Sequence, residues 1–199
     1  MRTRPRDRLI EGAIALVRER GVEGAGLATL LARTGTSRNS LYQHFPAGKG
    51  ELIETATLVA GARLSAYIDR VTAEGEPEDW LAGLVRWATR LIESGDFGAG
   101  CPVASAALAE TEPAVQAAAA RMFEDWTTRL AQALASTGIP ADRARSLAGF
   151  LVGSVEGAML VARAVKSTRP LVEAEENLRV LLAAERARQP HGSAAAGPP

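Results

Sequence analysis

The chain has 199 residues, is rich in Ala, Leu, Arg and Glu, carries only 5% aromatics, and has a formal net charge of zero. That composition favours an all-α fold, long enough for one compact domain or for a small domain joined to a larger one. Cys101 is the only cysteine, which excludes an intramolecular disulfide and suits a reducing compartment; no apolar run of about 18 residues suggests a membrane span, and MRTRPRDR lacks the apolar core of a secretion signal, so a cytoplasmic protein is expected.

Met1 to Arg6 reads as a disordered basic arm, and Arg2, Arg4, Arg6 and Arg8 are either a solvated tail or phosphate and minor-groove contacts. From Asp7 to about Arg20 a helix is expected, with Leu9, Ile10, Ala13, Ile14 and Val17 as its buried stripe and Gly21 as its stop. Leu27, Leu30 and Leu31 mark a second, short helix. Thr34-Gly35-Thr36-Ser37 breaks its period: Gly35 can take left-handed backbone, and Thr36 or Ser37 can cap the next helix. That third helix, Ser37 to Phe45, is anchored by Leu41 and Phe45. Its other side chains, Arg38, Asn39, Ser40, Gln43 and His44, all form hydrogen bonds. Two short helices around a Gly-containing turn, the second polar outside, form a helix-turn-helix pattern. Arg pairs with guanine, Asn and Gln pair with adenine, and Ser adapts to either. Tyr42 fits a phosphate and sugar contact, and Lys49 at the next helix start can meet a phosphate. Charge is distributed accordingly. Residues 1–50 hold nine basic and four acidic side chains and the remainder fourteen and nineteen, a basic head on an acidic body.

LYQHFPAGKGEL resembles the hallmark that closes the DNA-binding domain of TetR-type transcriptional regulators. Gly35, Ser37, Leu41, Tyr42, His44, Phe45 and Lys49 match its pattern. The extra residue in FPAGK, and Gly26-Leu27 where most members have Thr or Ser before the apolar residue, depart from it. Both departures resemble the subgroup of lincomycin-resistance repressors. The resemblance is close over residues 6–56 and looser beyond. It implies a dimer, a pseudo-palindromic double-stranded operator, and a body that binds a small effector.

Gly48 to about Glu74 is a long helix striped by Leu52, Ile53, Ala56, Val59, Ala60, Leu64 and Ile68, either a lever between head and body or a plain connector. Pro77 to Ser94 is strongly amphipathic. Gly95 to Pro102 is irregular, and Val103 to Ala109 is a short Ala-rich helix. Gly100-Cys101-Pro102 followed by that helix also resembles the subgroup's ligand-domain signature. Cys101 by itself reads as a buried small hydrophobe before a redox sensor. Pro113 to Ser136 carries Val115, Met122, Phe123, Trp126, Leu130 and Leu134. Residues 141–167 form the next helix, on which Gly149, Gly153 and Gly157 recur every fourth position. Each Gly costs about 1 kcal/mol against Ala, so close approach of another helix is the simplest reason for three. The final helix, 170–188, offers Leu171, Leu178, Leu181 and Leu182, and residues 189–199 should be disordered.

Pockets often lie between bundle helices, and the resemblance implies one among the helices that hold Trp87, Phe97, Met122, Trp126 and Phe150; with Cys101 these are the candidate ligand-binding residues, and the same residues also suit a plain core. Glu156 or Arg121 is available to orient a ligand. The resemblance implies that the last two helices pair with their symmetry mates, with Gly149, Gly153, Gly157, Leu160, Leu178 and Leu182 at the interface; packing within one subunit is the alternative. Of two histidines, His44 belongs to the DNA motif and His191 to the tail, so the body has neither a metal cluster nor a Ser-His triad, and no cofactor or catalysis is expected. The expected architecture is an all-α chain of about nine helices: a three-helix head (1–50), a ligand-binding and dimerisation body (51–188) and a tail (189–199). Its expected function is DNA-binding transcriptional regulation, as a repressor released by a small hydrophobic effector. Arg38, Asn39, Ser40 and Gln43 would read bases; Thr29, Tyr42, His44 and Lys49 would hold phosphates, and Thr36 and Ser37 shape the turn beside them. A helical dimeric interaction module without sequence-specific DNA binding is the alternative.

Overall fold

Each stretch with a 3.6-residue period becomes a helix, and prolines and glycines mark the ends. The computed structural model of the chain describes residues 4–188, which form nine helices and no strand. Arg2 of the basic arm, and the tail from 189 with His191, lie outside the described residues. The head comprises α1 (Pro5–Gly24), α2 (Leu27–Thr34) and α3 (Arg38–His44). The body continues as α4 (Lys49–Thr72), α5 (Pro77–Glu93), α6 (Pro102–Ala107), α7 (Pro113–Ser136), α8 (Ala141–Val165) and α9 (Arg169–Ala187). Pro occupies the first turn of α1, α5, α6, α7 and α9, where a missing N–H removes no helical bond. Gly21 (φ 71°) breaks α1 after Arg20, and Gly35 (φ 58°) closes α2 in the left-handed conformation.

The head is held by Leu9, Ile14, Leu16 and Val17 of α1 against Leu30, Leu41 and Phe45, all buried. Helices α1 and α2 approach closely at Gly12. A Cβ there would stand 2.3 Å from Thr34 Cγ2. Leu52 and Ile53 of α4 join the same continuous core, so α4 begins in the head and ends in the body. The expected boundary at residue 50 therefore falls within the first turn of α4.

In the body, α4 lies along α7 and α7 along α8, with α5 and α9 closing the bundle. Trp126 is fully buried and donates its indole N–H to the Gly61 carbonyl at 3.1 Å. Beside it, Ser65 donates to Asp125 (2.6 Å), and Arg129 bridges Asp125 (2.8 Å) and Asp69 (2.5 Å) across the α4–α7 seam. The sequence stripe for α4 omitted Thr57, Gly61 and Ser65, which are buried because α7 covers a second face of the helix.

Helix α8 is only half used by its own subunit. Leu147, Leu151, Ala158, Met159 and Ala162 face inward, whereas Phe150 (57% exposed), Leu160 (70%), Val161 and Val165 face out with the glycine row. A Cβ on Gly153 or Gly157 would meet nothing within 4 Å, so no helix of the same subunit explains those glycines. By length and composition α8 could cross a membrane, contrary to the expectation that no such stretch exists. Two interface assignments on α9 are also corrected. Leu178 and Leu182 are buried inside the subunit, because their face of α9 packs on α5 and α8 and leaves Val172 and Val180 outside.

Candidate nucleic-acid interface and body cavity

Ser37 caps α3 by accepting the Ser40 N–H at 3.1 Å, which completes the first turn of a helix only seven residues long. Thr34 and Thr36 share a 2.6 Å hydroxyl contact, and Thr34 also donates to Leu30 O. The hydroxyls of Thr36 and Ser37 thus hold the turn itself. Beyond it Arg38, Asn39, Tyr42, Gln43 and His44 are exposed, Ser40 is half-buried, and Leu41 and Phe45 lock the opposite side into the core. The outcome is a rigid helix with one polar face open to solvent. Thr29 lies half-buried in the first turn of α2, whose N-cap Gly26 supplies no side chain to its free N–H groups.

The Tyr42 ring lies over Gly48, where a Cβ would come within 3.2 Å of its Cε1. Gly48 also has φ 83°, so both the space and the backbone require glycine at the start of α4. Lys49 Nζ donates to Val22 O at 3.3 Å and ties α4 to the end of α1. Arg33 is held to Glu19 by its two terminal guanidinium nitrogens at 2.7 and 2.8 Å; that bond raises the arginine pKa and lowers the carboxyl pKa. Arg6 stacks its guanidinium 5.4 Å from the Phe45 ring centroid.

Head and body meet at the loop between α5 and α6. Arg18 of α1 donates to Gly100 O (3.1 Å) and Leu91 O (2.7 Å), and Gly100 N returns a bond to Arg18 O (2.9 Å). Burial lowers the Arg18 pKa, the main effect there. From the other side Arg163 of α8 donates to Glu19 O (2.8 Å) and Gly98 O (2.9 Å), and Lys166 donates to Phe97 O (3.0 Å). The loop is strained as well: Asp96 and Phe97 have φ of 47° and 56° without being glycine.

Within the body a small cavity is lined by Leu64, Ile68, Leu84, Trp87, Trp126, Leu130, Leu151, Val152, Val155, Glu156 and Met159. The centre of a water molecule can occupy about 30 Å³ of it, whereas drug-sized ligands need a few hundred Å³. A larger, open cleft of about 670 Å³ by the same measure runs from the end of α1 along Cys101, Ala104 and Leu108 to Gly157, Leu160 and Arg163. Glu156 and Met159 line both spaces and so form the partition between them. Desolvation pushes the Glu156 carboxyl up to about 7, opposed by its hydrogen bond with Cys101. Burial pushes the Cys101 thiol well above its ordinary value, and the nearby carboxylate adds to this, so the thiol is not activated.

Of the six candidate ligand residues, Trp87 and Trp126 line the cavity and Cys101 lines the cleft. The other three are corrected. Phe150 points out of α8, Met122 packs over Gly61 beside a shallow surface groove, and Phe97 belongs to the strained loop. Arg121 is likewise elsewhere, paired with Glu54 at 3.1 Å. Arg18 and Arg163 were missed. Their helices identified them only as polar, and the carbonyls they bind lie far along the chain, although the two-turn spacing from Glu156 to Arg163 was visible.

Residues 9–56 match the sequence model of bacterial regulatory proteins of the tetR family, and residues 77–177 match that of the LmrA/YxaF-like transcriptional regulator C-terminal domain. An uncharacterized HTH-type transcriptional regulator of Mycobacterium tuberculosis is 36% identical over 188 residues, covering 91% of this chain and 95% of its own. The HTH-type transcriptional regulator LmrA of Bacillus subtilis is 24% identical, covering 84% and 90%. A TetR transcriptional regulator from Legionella pneumophila has the same fold, with a TM-score of 0.83 at 18% identity over 91% of this chain and 98% of that one.

Proposed function

Since the chain belongs to the TetR family of transcriptional regulators and is a DNA-binding regulator, we propose that it is a repressor released from its operator by a small, largely apolar effector. The observation that carries the reading is α3: a capped, rigid helix showing Arg38, Asn39, Gln43 and His44 to solvent. In a major groove Arg38, Asn39, Ser40 and Gln43 read base edges, while Tyr42, His44, Thr29 and Lys49 hold phosphates. Thr36 and Ser37 position that helix.

Two copies pair through the outward faces of α8 and α9. Phe150, Leu160, Val161 and Val165 supply apolar surface there, and Gly149, Gly153 and Gly157 let the paired helices approach closely. A membrane is the weaker occupant of that face, because Glu156 and Arg163 sit on the same helix and a cytoplasmic regulator needs a partner for its second half-site. A two-fold dimer presents two α3 helices to successive major grooves of a pseudo-palindrome.

The effector enters from the side of the cleft lined by Cys101, Ala104 and Leu108, since Gly157 and Leu160 face the second copy, displaces Met159 and occupies the space beside Trp87 and Trp126. Helix α8 carries both the partition and Arg163, which holds the Glu19 carbonyl of α1. A shift of α8 therefore reorients the head. Release occurs only if the effector binds the two arrangements with different affinity. No catalytic role is assigned to any residue.

Binding of the purified protein to the DNA upstream of its own gene, across a salt series and beside random DNA, tests the regulator. A preference of about a thousandfold or more is expected. Equally weak binding to the upstream DNA, to genomic fragments and to random DNA would overturn sequence-specific control.

A further inference from the structure

Among the described residues, Glu156 is the only ionisable side chain lining the cavity, and the other wall residues are aliphatic, Met or Trp. No Arg or Lys among the described residues forms an ion pair with it; the polar group that acts on its carboxyl is the neighbouring Cys101 thiol. Arg163 also lines the cleft, two turns along α8, but its guanidinium is committed to the Glu19 and Gly98 carbonyls. The cleft's remaining charged residues are Glu19, bound to Arg33, Glu23, bound to Thr111, and Arg20. A carboxyl in an apolar wall is costly when charged unless a cation meets it. Trp87 and Trp126 line the same cavity, and an indole suits apolar groups and attracts a cation placed over its face. Trp126 cannot turn its N–H to a ligand, because Gly61 O already accepts it.

We propose that the effector is an amphipathic amine. Its apolar group fills the space beside Trp87 and Trp126, and its ammonium pairs with Glu156 at the partition, taking the place of the Cys101 thiol. A neutral alcohol of the same shape would gain only an ordinary hydrogen bond there, and a carboxylate would meet like charge. This inference rests on the reading of the body as an effector sensor.

The test uses the full chain and three matched probes: 3-phenylpropylamine, 3-phenylpropanol and 3-phenylpropionate, titrated by calorimetry and tryptophan fluorescence. The amine is expected to bind roughly tenfold or more tighter than the alcohol, with the carboxylate weakest. In Glu156→Gln the amine and the alcohol should bind alike. Should that variant not fold, Glu156→Met carries the same comparison. Equal or tighter binding of the alcohol to the parent, or an amine preference that survives the substitution, overturns the amine class and leaves the sensor standing. Failure of all three probes to bind overturns the cavity as a ligand site, and this inference with it.

Discussion

Asn39 and Lys49 lie ten residues apart, and the proposed interface gives them different work. Asn39 is exposed in the first turn of α3, and among the described residues its side chain has no hydrogen-bond partner, so its loss should be felt only against a base. Asn39→Ala is expected to cost about 1–3 kcal/mol on operator and to relax specificity at one position, with thermal stability unchanged. Lys49 is already bonded to Val22 O, an interaction contributing about 1 kcal/mol to the head. Lys49→Ala should therefore weaken specific and random DNA alike, lower the salt slope by about 1, and also lower the melting temperature. Identical losses for the two variants on every DNA would refute the division of roles. Glu156 is read by pH instead. With its carboxyl raised from 4.5 to about 7, the folded chain keeps a proton that the unfolded chain has released. Folding stability from this group therefore falls as pH rises from about 4.5 to 7 and is level above. Between pH 5 and pH 8 the stability difference should move roughly 2–3 kcal/mol in favour of Glu156→Gln, measured by denaturant unfolding. A difference independent of pH would show that the carboxyl is not desolvated.

Among elements, the α1–α2 contact is set by a missing side chain. Gly12→Ala gains about 1 kcal/mol of helix propensity, but its Cβ would stand 2.3 Å from Thr34 Cγ2 and 3.4 Å from Leu30 Cδ1. Thr34 cannot turn away, since its hydroxyl is bonded to Leu30 O and Thr36. Overpacking costs of about 1–3 kcal/mol outweigh the gain, so a lower melting temperature and weaker operator binding are expected. A stabilised variant would mean that α2 shifts freely on α1. The α1–α8 link makes a different prediction. Arg163→Met removes the bonds to Glu19 O and Gly98 O while keeping an apolar stem. Operator affinity without effector should change little, and the ratio of affinities with and without effector should shrink about tenfold, or about 1.4 kcal/mol of coupling. An unchanged ratio would assign transmission to α4 alone.

For the whole molecule the decisive surface is the one left unfilled. Leu160 is 70% exposed at the centre of an outward row that includes Gly157, Val161 and Val165. A charge there should leave the monomer fold intact, because the side chain touches no core, and should block pairing. Leu160→Glu is expected to sediment as a monomer with the parent's helical content and to lose operator affinity by about a hundredfold or more, as one half-site is released. A dimer unaffected by this change would move the interface away from α8.

The local chemistry of the chain was enough to give nine helices, the Gly35 turn, the Ser37 cap and the exposed polar row of α3. Each arises from periodicity, capping and backbone freedom within a few residues. The head's function was legible because the helix-turn-helix pattern and the LYQHFPAGKGEL hallmark both lie in one short segment: the pattern fitted a major groove, and the resemblance to TetR-type regulators carried the DNA-binding reading. The body was not. Periodicity marks Phe150, Met122 and Leu178 as apolar but cannot say which apolar face a bundle buries, which it leaves for a partner, or which lines a void. Only packing turned Phe150 outward, drew Leu178 into the subunit and set Glu156 between cavity and cleft. The α1–α8 link depended on tertiary structure most of all, since Arg163 meets Glu19 O across 144 residues and a carbonyl acceptor has no side-chain identity to read.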